Sequence, residues 1–211
     1  MIKNIITDVG QVLFKFECYN CLKDITDNEE EYRFLCSITF DSPNWSKYDR
    51  GDFQRGEFEE YLKSFTQTEK QKNQIRELML RWRDYLVINE PMVDLIYKLK
   101  NNGYKLYILS NAPYEVPVYL NSYHLIQPFD GTVFSCYERC LKPEKEIYEI
   151  LLNRYKLDPK ESLFIDDRKI NIAAAKELKF NAFEYEYDEH DDALKVFKVM
   201  GLKFWKTWKW H

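Results

Sequence analysis

The chain has 211 residues, of which 45% are hydrophobic and 31% charged, with a formal net charge of -4. Mild acidity gives no electrostatic reason to expect nucleic acid or an anionic membrane as partner, and no apolar run approaches the ~20 residues of a membrane span. The length suits one good-sized domain, or a core domain carrying a small insert. The N-terminus enters directly into a strand-like run without a charged leader or cleavage site, which predicts a cytoplasmic protein. Five cysteines, an odd number, fit reduced thiols used as small apolar residues. Cys18 and Cys21 form a CxxC, but no second pair follows and the three histidines do not cluster near it, so a zinc site is not expected.

In chain order, "KNIIT" (3–7) reads as a first buried strand. Residues of about 15–85 break any strand alternation and read as helices: 28–40, 56–65 and 72–86. Then "EPMVDLIYKLKNNG" (90–103) carries Pro91 near a helix start and Gly103 past its end, with Val93, Leu95, Ile96 and Leu99 on one face. "YKLYILS" (104–110) and "GTVFS" (131–135) are further strands, and "PEKEIYEILLNRYKL" (143–157) is a helix. "ESLFID" (161–166) and "KFNAFEYE" (179–186) are strands around a helix at "NIAAAKELKF" (171–180), whose alanines permit close packing on a sheet. Strand–helix alternation predicts a three-layer α/β core with a mostly parallel sheet. Ligands then gather outside the carboxyl ends of the strands, where Asp8, Ser110, Asp166 and Asp167 fall.

A carboxylate can attack phosphorus and form an acyl-phosphate that water later cleaves. The obstacle is charge, because a phosphate ester is itself an anion. A hard cation such as Mg²⁺, held by one or two carboxylates and the substrate phosphate, removes it. Asp8 suits nucleophile and ligand at once, Asp167 a second carboxylate ligand, and Gly10 a backbone carbonyl ligand. Ser110 and the Asn111 amide can donate to phosphoryl oxygens, and Lys142 can set a positive charge beside the nucleophile.

The stations "ITDVGQVLF", "LSNAP", "LKPEKEIY" and "FIDDRKINIAAA" resemble the four ordered motifs of the haloacid dehalogenase superfamily. The first motif, D-x-G-x-V, and the stretch "YDRGDFQRGEFEEYL" (48–62) are most similar to its α-D-glucose-1-phosphate phosphatase-like branch. The resemblance implies a Rossmann-like core at 1–14 and 87–211 with a helical cap at 15–86. It implies a Mg²⁺-dependent phosphatase acting on a small phosphorylated metabolite, such as a sugar phosphate, as a monomer or weak homo-oligomer. Residue by residue, Asp8 matches the nucleophile and Gly10 a carbonyl contact to the metal. Ser110 and Asn111 match the phosphate-binding motif, Lys142 the motif lysine and Asp167 the main metal ligand. Asp166 and Asn171 fall to supporting places around the metal shell.

The departure is at position 10. The usual first motif has a second Asp that protonates the leaving oxygen, help worth ~10²–10⁴-fold, and here it is Gly10. A sugar 1-phosphate, with its better leaving oxygen, would need less of that help. The alternatives are a non-catalytic phosphometabolite-binding relative, or a metal-free 2-haloacid dehalogenase, against which the acidic "IDDR" stands. Taken singly, each residue has an ordinary reading: Asp8 and Gly10 in a turn, Ser110-Asn111 as a helix entry, Lys142-Pro143 in a loop, Asp166-Asp167 as a helix cap. In the cap, Trp45, Tyr48, Arg50 and Arg55 could face a substrate, with a solvated helical face as the plainer expectation. His124 and His190 read as surface or core residues, and the tail "FWKTWKWH" (204–211) as packed within the chain.

Overall fold

A computed structural model describes residues 1–204. The chain opens with β1 (Asn4–Thr7), a tight turn and β2 (Phe14–Phe16). Helices α1 (Cys18–Ile25), α2 (Glu29–Ile38), α3 (Pro43–Asp49), α4 (Arg55–Lys63) and α5 (Glu69–Arg81) follow, and β3 (Leu86–Ile88) closes that segment. Next come α6 (Glu90–Asn101), β4 (Lys105–Ser110), α7 (Glu115–Ser122), β5 (Gly131–Phe134) and α8 (Ser135–Glu138). The chain continues through α9 (Lys145–Tyr155), β6 (Ser162–Asp166), α10 (Lys169–Glu177), β7 (Asn181–Glu184) and α11 (His190–Val199).

Five strands form one wholly parallel sheet in the order β5-β4-β1-β6-β7. The two-residue period of a strand sends alternate side chains to opposite faces. Ile5, Leu106, Ile108, Leu163 and Ile165 therefore join one core, with Leu95 and Ile96 of α6 and Phe197 of α11. Ile6, Tyr107, Leu109, Val133 and Phe164 join the other, with Ile147, Tyr148 and Leu151 of α9 and Ile172 and Ala175 of α10. Both faces are dry, so the strands read as continuous apolar runs rather than alternating ones. The three-layer α/β architecture expected from the alternation is the one found. All described free cysteines are buried; Cys18 donates to the Trp82 carbonyl at 3.2 Å, and burial pushes the Cys21 thiol up to about 12. They are packing residues. Among the described residues no helix is long and apolar enough to cross a membrane.

Two features were not anticipated. The first is the antiparallel β2–β3 ribbon, with Phe14 opposite Ile88 and Phe16 opposite Leu86. Through it the chain leaves for α1–α5 and returns beside the point of departure. The second is α3, begun by Ser42 accepting from the Asn44 N–H with Pro43 in its first turn. Its last turn is clamped to the core: the Ser135 hydroxyl donates to the Asp49 carbonyl at 2.5 Å, Tyr48 donates to Glu115, and Arg50 pairs with Glu144 at 3.0 Å. Gly51 completes the seat at φ +82°, where an added Cβ would lie 2.4 Å from the Cys136 carbonyl oxygen, so only glycine fits. Of the expected tail packing, Phe204 lies against the core and residues 205–211 lie outside the described residues.

Candidate active site

Because β4 and β6 flank β1 in parallel, their carboxyl ends converge by construction. Asp8 follows β1, its backbone N–H donating to the Ile165 carbonyl at 2.9 Å; Ser110 ends β4 and Asp166 ends β6. Asp8, Asp166 and Asp167 each offer a carboxylate oxygen within 4.8 Å of the others. Lys142 enters from the loop after α8, its side chain fully buried. Its Nζ sits 2.9 Å from Asp8 Oδ2 and 2.6 Å from Asp166 Oδ2.

The surrounding residues orient these groups. Asp166 Oδ1 accepts from the Arg168 N–H and from Asn171 Nδ2, both at 2.9 Å. These bonds occupy Asp166 Oδ1, and Asp167 and Asn171, not Asp166, line the open cavity. The Asn111 side chain braces the Lys142 loop. Its Nδ2 donates to the Lys142 carbonyl and its Oδ1 accepts from the Lys142 N–H, each at 2.8 Å. Asn111 also lines the cavity beside Ser110. The Ser110 hydroxyl is buried and, among the described residues, has no hydrogen-bond partner. Such a group is costly unless a ligand completes it.

Charge at the site is unbalanced. Burial pushes the Asp8 carboxyl up to about 7; Lys142 opposes that rise, while Asp166 and Asp167 add to it. Burial and the Asp166 charge push Asp167 up to about 6. Burial alone would lower the Lys142 ammonium, but the Asp8 and Asp166 charges outweigh it and keep the lysine protonated. Three carboxylates against one ammonium, all with hard oxygen donors, fit a divalent cation. The cation-free protein should therefore lose stability as pH rises. Asp8 and Asp167 bind protons more tightly folded than unfolded, so between their ordinary value of 3.8 and about 6–7 the native state holds the extra proton and deprotonation works against it. Divalent cation should accordingly raise the melting temperature more at about pH 8 than at about pH 5. Equal increments in a scan with EDTA and with Mg²⁺ would count against a carboxylate cation site.

The carboxylates open into a cavity of about 280 Å³. Its far wall is aromatic and aliphatic: Phe14, Phe16, Trp45, Trp82, Leu86 and Val116. Trp45 and Trp82 meet edge to face at 5.5 Å. Of the four cap residues considered for substrate contact, only Trp45 lines it. Tyr48 is buried and stacks on Phe58 at 4.2 Å, Arg50 is engaged with Glu144, and Arg55 opens α4 away from it. Tyr48 and Trp45 are core, not a solvated face. Neither His124 nor His190 reaches the cavity. Gly10 lines it without strain: the left-handed residue of this turn is Gln11, at φ 54°, and a Cβ at Gly10 would meet nothing within 4 Å. Apart from Trp45, the apolar wall residues and one carboxylate of the lining were not singled out in the sequence. Asp49, the last residue of α3, faces the same cavity, and in the sequence it resembles any charged residue at a helix end.

The fold is a parallel α/β sheet with acidic and polar groups gathered at the tips of its central strands. Residues 6–179 match the family described as haloacid dehalogenase-like hydrolase, and the chain belongs to that family. Among individual proteins it is similar to the sesquiterpene phosphatase astK of Aspergillus oryzae, 27% identical over 82% of this chain and 85% of that one. It is also similar to bifunctional epoxide hydrolase 2 of Mus musculus, 32% identical over 43% of this chain but only 17% of that longer protein. The solved HAD family enzyme bt-2542 from Bacteroides thetaiotaomicron superposes with a TM-score of 0.73 at 27% identity, covering 92% of this chain and 98% of that one. The complex of that enzyme with magnesium and inorganic phosphate superposes at 0.69, with 26% identity over 90% of this chain and 96% of that one.

Proposed function

We propose that the protein is a Mg²⁺-dependent phosphatase that hydrolyses phosphate monoesters through an aspartyl-phosphate on Asp8. The observation that carries this reading is the convergence of Asp8, Asp166 and Asp167 within 4.8 Å around a buried lysine, beside a buried serine hydroxyl without a partner. A helical cap formed by the segment between β2 and β3 would cover the strand tips, close to the expected 15–86.

In this reading Asp8, Asp167 and the Gly10 carbonyl hold Mg²⁺, while Asp166 and Asn171 support them. When bound, the ion supplies the positive charge that lets a carboxylate approach a phosphate dianion. Asp8 attacks phosphorus in line. Lys142 and Ser110 stabilise the charge on the phosphoryl oxygens as the ester bond lengthens. Water then cleaves the acyl-phosphate and frees Asp8. A dehalogenase reading is disfavoured by the crowded carboxylates, which serve a cation better than a halide.

The organic part of the substrate faces Phe14, Phe16, Trp45, Trp82 and Leu86. That wall suits a hydrocarbon-rich ester better than the polyhydroxylated sugar phosphate expected from sequence, although Gln11, Ser46 and Arg168 also line the cavity. Phosphate release should be measured with and without Mg²⁺ over a panel of prenyl, linear alkyl, aryl and hexose phosphates. The expected result is metal-dependent turnover, with kcat/KM rising about fourfold per added methylene along the alkyl series, from ~0.8 kcal/mol per buried CH₂. Preference for hexose phosphates would overturn the apolar assignment. Binding across the panel without release would replace the hydrolase by a phosphometabolite-binding module.

A further inference from the structure

Position 10 leaves this site without the second carboxylate that the phosphatase chemistry calls for, and α3 brings one to the same cavity from the other side. Asp49 lines the cavity together with Asp8, Gly10 and Lys142. It stands apart from the group of three carboxylates that could share a cation. Its backbone is fixed on the core by the Ser135 hydroxyl, and its neighbours Tyr48 and Arg50 by Glu115 and Glu144. The end of α3 that carries Asp49 is thus held at a set position.

We infer that Asp49 is the general acid–base of the reaction at Asp8, supplying from α3 the proton transfer that Gly10 is unable to make. The inference rests on the phosphatase reading above. As the Asp8 Oδ–P bond forms and the ester P–O bond breaks, the Asp49 carboxyl gives its proton to the departing oxygen, which leaves as the alcohol. In the second half the Asp49 carboxylate takes a proton from water as the new O–P bond forms and the Asp8–phosphate bond breaks. Hydrogen phosphate leaves, Asp8 returns as carboxylate and Asp49 as acid, so charge and protons balance over the cycle. Burial and the facing Asp8 charge push the Asp49 carboxyl up to about 8, against the opposing charges of Arg168 and Lys142. The role requires the Asp49 carboxyl to enter the cycle protonated.

The test compares a primary alkyl phosphate, whose oxygen must be protonated to leave, with p-nitrophenyl phosphate, whose phenolate leaves unaided. Asp49→Asn should lower kcat/KM for the alkyl ester by ~10²–10⁴-fold and for the aryl ester by far less. Asp49→Glu keeps the acid and should keep most of the alkyl activity. Gly10→Asp built into the Asp49→Asn protein should restore alkyl turnover, because the space at Gly10 is open. Equal losses on both esters, with no rescue by either variant, would assign Asp49 a merely structural role and overturn the inference. So would an Asp49→Asn enzyme as fast as the parent on the alkyl ester. A parent protein that turns over neither ester sinks the phosphatase reading and this one with it; a parent that turns over while Asp49→Asn is silent in effect sinks this one alone.

Discussion

Asp8→Asn is expected to yield a folded protein whose phosphate release is reduced by roughly 10⁴–10⁶-fold, the loss seen when a nucleophile or its immediate partner is removed from a hydrolase. Asn keeps the size of Asp and its amide can still face the Lys142 ammonium through its oxygen, so the 2.9 Å contact survives in weaker form. What it lacks is the anionic oxygen that bonds phosphorus. The variant also removes one of the three carboxylates of the cation cluster, so the rise in melting temperature on adding Mg²⁺ should shrink along with turnover. Both measurements are needed. A variant that keeps its fold and its turnover would show that the ester is opened by some other group. One that loses turnover but keeps the whole Mg²⁺ increment would leave Asp8 as nucleophile and remove it from the metal shell.

The second large effect concerns Lys142→Met, which keeps the length of the side chain and deletes the charge. Lys142 Nζ lies between Asp8 and Asp166, and its side chain and that of Asp166 are wholly inaccessible. Deleting one member of a buried ion pair costs about 3–5 kcal/mol, because the remaining charge is left in a medium that solvates it poorly. Asp8 can escape part of that penalty by taking up a proton, its carboxyl being already pushed up to about 7 by burial. The deficit of the variant should therefore be smaller at about pH 5, where Asp8 is protonated in both folded proteins, and larger at about pH 8, where the parent gains from ionised Asp8 paired with Lys142 and the variant must hold the proton or bury an unpaired charge. Urea denaturation of both proteins at the two pH values, in EDTA, checks the sign. Added Mg²⁺ should narrow the gap at the higher pH by replacing the missing positive charge. Turnover should fall by about 10²–10³-fold, as when one donor to a developing oxyanion is lost. A variant as stable as the parent at both pH values would mean that the carboxylates are already neutral in the parent and that the lysine is not their counter-ion.

Much of the core could be read from residue order. "KNIIT", "YKLYILS" and "ESLFID" are short, β-branched or aromatic runs ending in polar residues, and each became a strand of the parallel sheet. Their legibility follows from burial on both faces, which leaves no polar positions to blur the run. The polar endings were informative because a parallel sheet delivers every carboxyl end to one edge. The β2–β3 ribbon could not be read in the same way. Its strands have three residues each, too few for a period to show, and their pairing joins positions about seventy residues apart in the chain. Asn111 illustrates a different limit. Its place next to Ser110 is legible in the sequence, but its side-chain pairing with the Lys142 backbone is a contact between loops that no local pattern announces.

The sequence by itself determined the layered α/β core, the strand-tip groups Asp8, Ser110 and Asp167 with the loop residue Lys142, and the gap left by glycine at position 10. These depend on local patterning and on the order of elements, both of which are written along the chain. Only the tertiary structure decided which carboxylates come within reach of one cation, which side chains line the cavity, and that Asp49 is among them. The last depends on how α3 docks through Ser135, Glu115 and Gly51. A docking geometry is the sum of many weak, distant contacts that no single segment encodes.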